Sequence, residues 1–102
     1  MLFRSMFRWA DVFNGDIGDW DTSSVENMSG TFNQADSFNQ NISSWNTSQV
    51  VDMEWMFYDA DLFDQNISSW CVELISSKPS SFDQNAAFDG QTAKQPNWGV
   101  SC

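Results

Sequence analysis

Histidine is absent from this chain, and only 4 Lys and Arg stand against 14 Asp and Glu. Without histidine there is no Ser-His-Asp triad, no Cys-His pair, no HExxH helix and no His-ligated zinc. The formal net charge of -10 repels phosphate backbones and anionic lipid, which argues against nucleic acid as a partner. No apolar run approaches the length that spans a bilayer, so no membrane span is expected. The opening MLFRSMFRWAD is too short, and too interrupted by Arg4, Arg8 and Asp11, to act as a secretory signal. If the protein is exported, its signal lies outside this sequence. Leucine is scarce too, occurring only as Leu2, Leu62 and Leu74.

Aromatic residues fill that gap, with 9 Phe and 6 Trp among 102 residues. Such rings bury large areas each, which suits a thin structure with few core positions. They are also periodic, at an offset of 25 residues. Phe7, Phe32, Phe57 and Phe82 form one column, and Phe13, Phe38, Phe63 and Phe88 another. Ile17, Ile42 and Ile67 align, as do Trp20, Trp45 and Trp70, and Ala10, Ala35 and Ala60. A unit of this size cannot bury its own apolar face, so equivalent side chains are expected to stack as ladders between neighbouring units.

Within a unit, Asn41 to Trp45 is short, contains Ile42 and is bounded by turn formers, which reads as a brief parallel strand. Val50, Met53, Phe57 and Ala60 follow helical spacing. Pro79 falls in the column of Ser29 and Glu54, and proline is comfortable only at a helix start, so the helical turn is placed at about Glu54. The expected fold is therefore an α/β repeat solenoid, leucine-rich-repeat-like, with one short strand and one short helical turn per coil. Residues 1–70 are repeat coils and residues 71–102 a divergent C-terminal coil. Because Phe3 and Phe7 share the columns of Met28 and Phe32, the first coil begins midway, as in a truncated product or a piece of a longer array.

The segment FNQNISSWNTSQVVDMEWMFYDADLF, Phe38 to Phe63, resembles the BspA-like leucine-rich repeat surface proteins, including their mycoplasma-lipoprotein-type branch. The third unit departs from the pattern at Cys71, Val72 and Lys78. With Ile75, Pro79, Phe82, Pro96-Asn97-Trp98-Gly99 and Cys102 it looks like that family's closing cap. The resemblance implies an extracellular or cell-surface location and a role in adhesion, and it brings no catalytic residues. Cys71 and Cys102 both lie in this last coil and are read as a disulfide, with two buried free thiols as the alternative.

Asp16, Asp19 and Asp21, and the column Asp11, Asp36 and Asp61, are the candidates for calcium, beside the plainer reading of a solvated acidic face. Asp16, Asn41 and Asn66 are expected to satisfy turn backbone groups. Asn27-Met-Ser29, Asn41-Ile-Ser43, Asn46-Thr-Ser48 and Asn66-Ile-Ser68 match the N-glycosylation acceptor, which the repeat itself explains by coincidence. Trp9, Trp55 and Tyr58 lie off the main ladders and are the candidates for binding, against a partly buried packing role. Asp52, Glu54 and Tyr58 also differ from their counterparts Asn27, Ser29 and Asn33, which leaves room for a specific surface. The expectation is a non-catalytic binding or adhesion module without a cofactor, whose partner is a protein or glycan on another cell or matrix. A structural spacer and a calcium-stabilised repeat are the alternatives.

Overall fold

The computed structural model describes residues 3–102. Each unit is a run of tight turns. In the second, Thr31 donates to Met28, Asn33 to Gly30, Ala35 to Phe32, Phe38 to Ala35, Trp45 to Ile42 and Val50 to Thr47, all three residues back. The same bonds recur one unit later, from Met56 to Met53, Tyr58 to Trp55, Ala60 to Phe57, Phe63 to Ala60, Trp70 to Ile67 and Ile75 to Val72. Two left-handed residues per unit bend the chain back onto this path. Ser5, Gly30 and Trp55 occupy one such place and Trp9, Gln34 and Asp59 the other, with φ between 55° and 63°.

The turns lie flat, and the layers they form are tied by parallel bonds. Ser5, Phe7 and Trp9 donate to the carbonyls of Ser29, Thr31 and Asn33, while Gly30, Phe32 and Gln34 donate to Glu54, Met56 and Tyr58, at 2.7–2.9 Å. Side chains add to the ties. The Trp45 and Trp70 indoles donate to the carbonyls of Ile17 and Ile42, and Thr22 and Thr47 to those of Asn46 and Cys71. Asn14 and Asn39 accept from the backbone of Asn39 and Asp64 one layer on.

This register brings the aromatic columns into contact. Phe7 stacks on Phe32 at 5.6 Å and Phe32 on Phe57 at 5.5 Å between ring centres. Phe13, Phe38 and Phe63 stack at 5.8 Å, and Trp45 on Trp70 at 6.3 Å. The two Phe columns also stack on each other within a layer, as Phe32 does on Phe38 at 4.2 Å. Ile17, Ile42 and Ile67 complete the core, whereas Trp20, in the first layer, is 43% exposed.

The expected α/β solenoid of leucine-rich-repeat type is not what forms. Among the described residues the helical content is one 3-10 turn, Thr92–Lys94, and the only β pairing is an isolated bridge between Asn27 and Asp52. Asn41 to Trp45 is a turn closed by Trp45 on Ile42, so no strand exists there. The helix expected near Glu54 fails because Trp55 and Asp59 are left-handed, which interrupts a right-handed helix. Consecutive turns of this length return side chains to one face every three or four residues, so they imitate helical spacing. No helix of the described residues is long and apolar enough to cross a membrane.

The last layer slips by one residue. Trp55, Phe57 and Asp59 donate to Ser80, Phe82 and Gln84, and the left-handed places move to Ser81 and Asn85. Phe82 and Phe88 remain buried, but they meet Phe57 and Phe63 edge-on, at 85° and 80°, and the parallel stacks end. Asp83 now occupies the place that Phe57 holds one layer before, and it is 5% exposed. Its Oδ2 accepts from Lys78 Nζ, Gly90 N and Gln95 Nε2 at 2.7–3.0 Å. Burial pushes this carboxyl up, but the Gly90, Lys78 and Gln95 bonds together outweigh it and hold it below the usual carboxylate range. Residues 90–102 cover the layer: Ile67 donates to Lys94, Trp98 packs edge-on to Phe82 at 4.9 Å, and Cys71 is bonded to Cys102 with Cα atoms 5.8 Å apart.

A middle rung should therefore carry far more stability than a surface apolar residue. Phe57→Ala is expected to lower unfolding free energy in urea by about 3–5 kcal/mol, since Phe57 is fully buried. Val12→Ala, at a position 90% exposed, should change it by no more than about 0.5 kcal/mol.

Candidate functional site

Three successive layers build one cleft, of about 370 Å³, because the middle layer has small residues where its neighbours have large ones. In the second layer Ser29, Gly30, Asn33 and Gln34 make the floor. Arg4, Ser5 and Arg8 of the first layer form one wall, and Glu54, Trp55 and Tyr58 of the third form the other. The residues correspond column by column. Gly30 stands between Ser5 and Trp55 at a left-handed place, where a Cβ would sit 3.0 Å from Ser5 Oγ. Glycine thus keeps the floor low as well as relaxing the backbone.

Of the three aromatic candidates, two line this cleft. Trp55 and Tyr58 pack edge to face at 4.8 Å, with Trp55 43% exposed. Trp9 lies just outside, with the Arg8 guanidinium 4.3 Å above its ring. Arg4 and Arg8 are joined to no described carboxylate, in contrast to Lys78 and Lys94, which pair with Asp83 and Asp64. Asn33 is 8% exposed, and its Oδ1 has no hydrogen-bond partner. The arginines and the floor were not expected from sequence as a site. The signal was there in the columns, since Arg4, Ser29 and Glu54 share one and Arg8, Asn33 and Tyr58 another. A larger concavity of about 500 Å³, between 51–54 and 74–80, has no aromatic lining, and its one cation, Lys78, is already paired.

The acidic candidates resolve into turn chemistry. Asp16 accepts from the Gly18 N–H, and Asp21 from the backbone and hydroxyl of Ser23, which holds the Asp21 carboxyl below its usual range. Asn27, Asn41, Asn46 and Asn66 each accept from the N–H of the serine two residues on. The Asn-x-Ser pattern is thus a side-chain-closed turn repeated through the stack. Asp16, Asp19 and Asp21 are not gathered into a ligand cluster. The one described grouping of that kind, Cys71, Glu73 and Cys102, has its two sulfurs bonded to each other.

Asp11, Asp36 and Asp61 recur one per layer. Partial burial, then the charges of Asp61, Asp11 and Asp59, push the Asp36 carboxyl above its ordinary value.

Turn layers held in register by backbone bonds and stacked rings, with a cleft of aromatic, cationic and amide character across three of them, define a repeat protein with a built surface. The chain belongs to the family described as Mycoplasma protein of unknown function, DUF285, whose model matches residues 1–98. Neither a curated protein nor a solved structure matches it.

The Asp36 environment sets a pH dependence. Because its carboxyl is raised in the folded chain, that chain holds the extra proton between the unfolded and folded pKa values. The contribution is complete below the unfolded value and is lost as pH rises through the folded one. Asp36→Asn should raise the melting temperature at pH 7 in low salt. The gain should shrink in high salt and vanish below the carboxylate range, as followed by thermal melts at several pH values.

Proposed function

We propose that the chain is a non-catalytic, extracellular or cell-surface binding module, of the kind seen in BspA-like surface proteins, whose ligand is a protein or glycan held in the Arg4, Arg8, Trp55 and Tyr58 cleft. The observation that carries this reading is the backbone of Trp55. It is left-handed with φ 62°, a conformation that costs a bulky residue roughly 1–2 kcal/mol, and the same place in other layers holds Ser5, Gly30 and Ser81. A large ring kept half in solvent at a strained position is a poor choice for stability and a sensible one for contact. Trp9, 59% exposed with φ 61°, repeats the choice beside the cleft, at a place held elsewhere by Gln34, Asp59 and Asn85.

The disulfide supports an oxidising compartment, and the use of Asp16, Asp21 and Asp52 to close turns, as asparagines do in the same columns, supports a role without catalysis. The contact is made where two arginines face one glutamate, and the acids elsewhere are the solvated remainder.

Trp55→Gly separates binding from folding. It should leave unfolding free energy unchanged or raise it by up to about 1 kcal/mol, and it should abolish binding on an array of glycans and matrix proteins. A large loss of stability would mark Trp55 as core instead. A folded wild-type chain that binds nothing on such an array would be a spacer.

A further inference from the structure

Resting on the binding role of the cleft, we propose that its ligand is a saccharide bearing a carboxylate or sulfate group. The two walls and the floor each ask for a different chemical feature, and this class carries all three.

The first wall asks for negative charge. In a chain of net charge -10 with only four bases, two stand four residues apart on one side of one cleft, and neither is in an ion pair. Both lysines, by contrast, are paired, Lys78 with Asp83 and Lys94 with Asp64. A guanidinium offers planar, paired donors suited to carboxylate or sulfate oxygens.

The opposite wall asks for a ring with an apolar face. Trp55 and Tyr58 present π faces with negative quadrupoles, which attract the C–H face of a sugar ring. The walls stand two layers apart, and successive rings in the stack are 5.5–5.6 Å apart, so a flat ring fits between them above the low floor. The cleft volume of about 370 Å³ is at the lower end of small-ligand pockets, which start at about 300 Å³.

The floor asks for hydroxyls. Asn33 and Gln34 bring side-chain amides there, while Asn33 O accepts from Trp9 N and Gln34 N donates to Tyr58 O. The unpartnered Asn33 Oδ1 is closed to solvent and so faces the protein rather than the cleft, and the hydroxyl contact falls to the partly exposed Gln34 amide. An acidic peptide would satisfy the arginines but would leave the aromatic wall and the amide floor with less to do. Glu54, in the same column as Arg4, limits how far negative charge extends toward the aromatic wall.

The test uses the full chain and tryptophan fluorescence titration with four probes: a glucuronate-containing disaccharide, its sulfated form, a neutral disaccharide and hexaglutamate. The acidic disaccharides should bind at least about tenfold more tightly than the neutral one, and Arg4→Gln or Arg8→Gln should remove that preference, each variant melting like the wild type. Glu54→Gln should strengthen acidic binding, and raising salt should weaken it. Equal binding of acidic and neutral disaccharides would overturn the proposal and leave the binding role standing. Tighter binding of hexaglutamate than of any sugar would also overturn it and make the cleft a peptide site. If none of the four binds while a matrix protein on the array does, the saccharide is excluded but the module is not; if nothing binds at all, both fail.

Discussion

Everything in this molecule depends on the bonds that hold one layer in register over the next. A turn layer has no internal ladder of hydrogen bonds comparable to a sheet or a long helix, and by itself it would leave one face of every ring in water. The donation from Gly30, Phe32 and Gln34 to Glu54, Met56 and Tyr58 fixes the stagger, and the stagger alone decides whether Phe32 meets Phe57 face to face. Ring contact and backbone bonding therefore reinforce each other, and neither is available without a neighbour. Even the polar consensus obeys this constraint, since Trp, Thr and Asn side chains bond groups of the adjacent layer.

A one-residue change in that stagger makes the cap. With the left-handed places displaced to Ser81 and Asn85, a carboxylate falls where a phenyl ring would otherwise lie, and the fold answers by giving Asp83 three donors. The backbone of the last layer also offers fewer donors outward, with two of its four places closed. Pro79 has no N–H, and the Asn85 N–H is taken by the Asp89 carboxylate. The edge-on Phe82 and Phe88 finish the aromatic stacks as the proline finishes the backbone bonds.

The stacking was legible in the sequence because identical large side chains at one offset have a single economical arrangement. Phe7, Phe32, Phe57 and Phe13, Phe38, Phe63 meet as their columns say. The local conformation was not legible, for a physical reason. Val50, Met53, Phe57 and Ala60 face inward in a chain of turns as they would in a helix, and the deciding feature is a positive φ at Trp55, which carries no left-handed preference of its own, and at Asp59, one of many aspartates in the chain. Gly30, in the column of Trp55, was the one hint. The cleft was half legible: Trp55 and Tyr58 stood out by failing to repeat, but Arg4 and Arg8 come from another unit, and only stacking brings them opposite.

The matched columns that form the cleft carry an evolutionary consequence. A layer is recognised by its neighbours through backbone groups and ladder residues, while the side chains of Arg4, Arg8, Glu54 and Tyr58 at the cleft columns make no bond in that recognition among the described residues. Duplication or loss of 25 residues in the interior would thus keep the fold and reshuffle which side chains face one another across a layer. Floors and walls are interchangeable roles here: Gly30 is a floor only because Ser5 and Trp55 flank it. New specificities in such a lineage can arise from the order of existing units, without any new side chain.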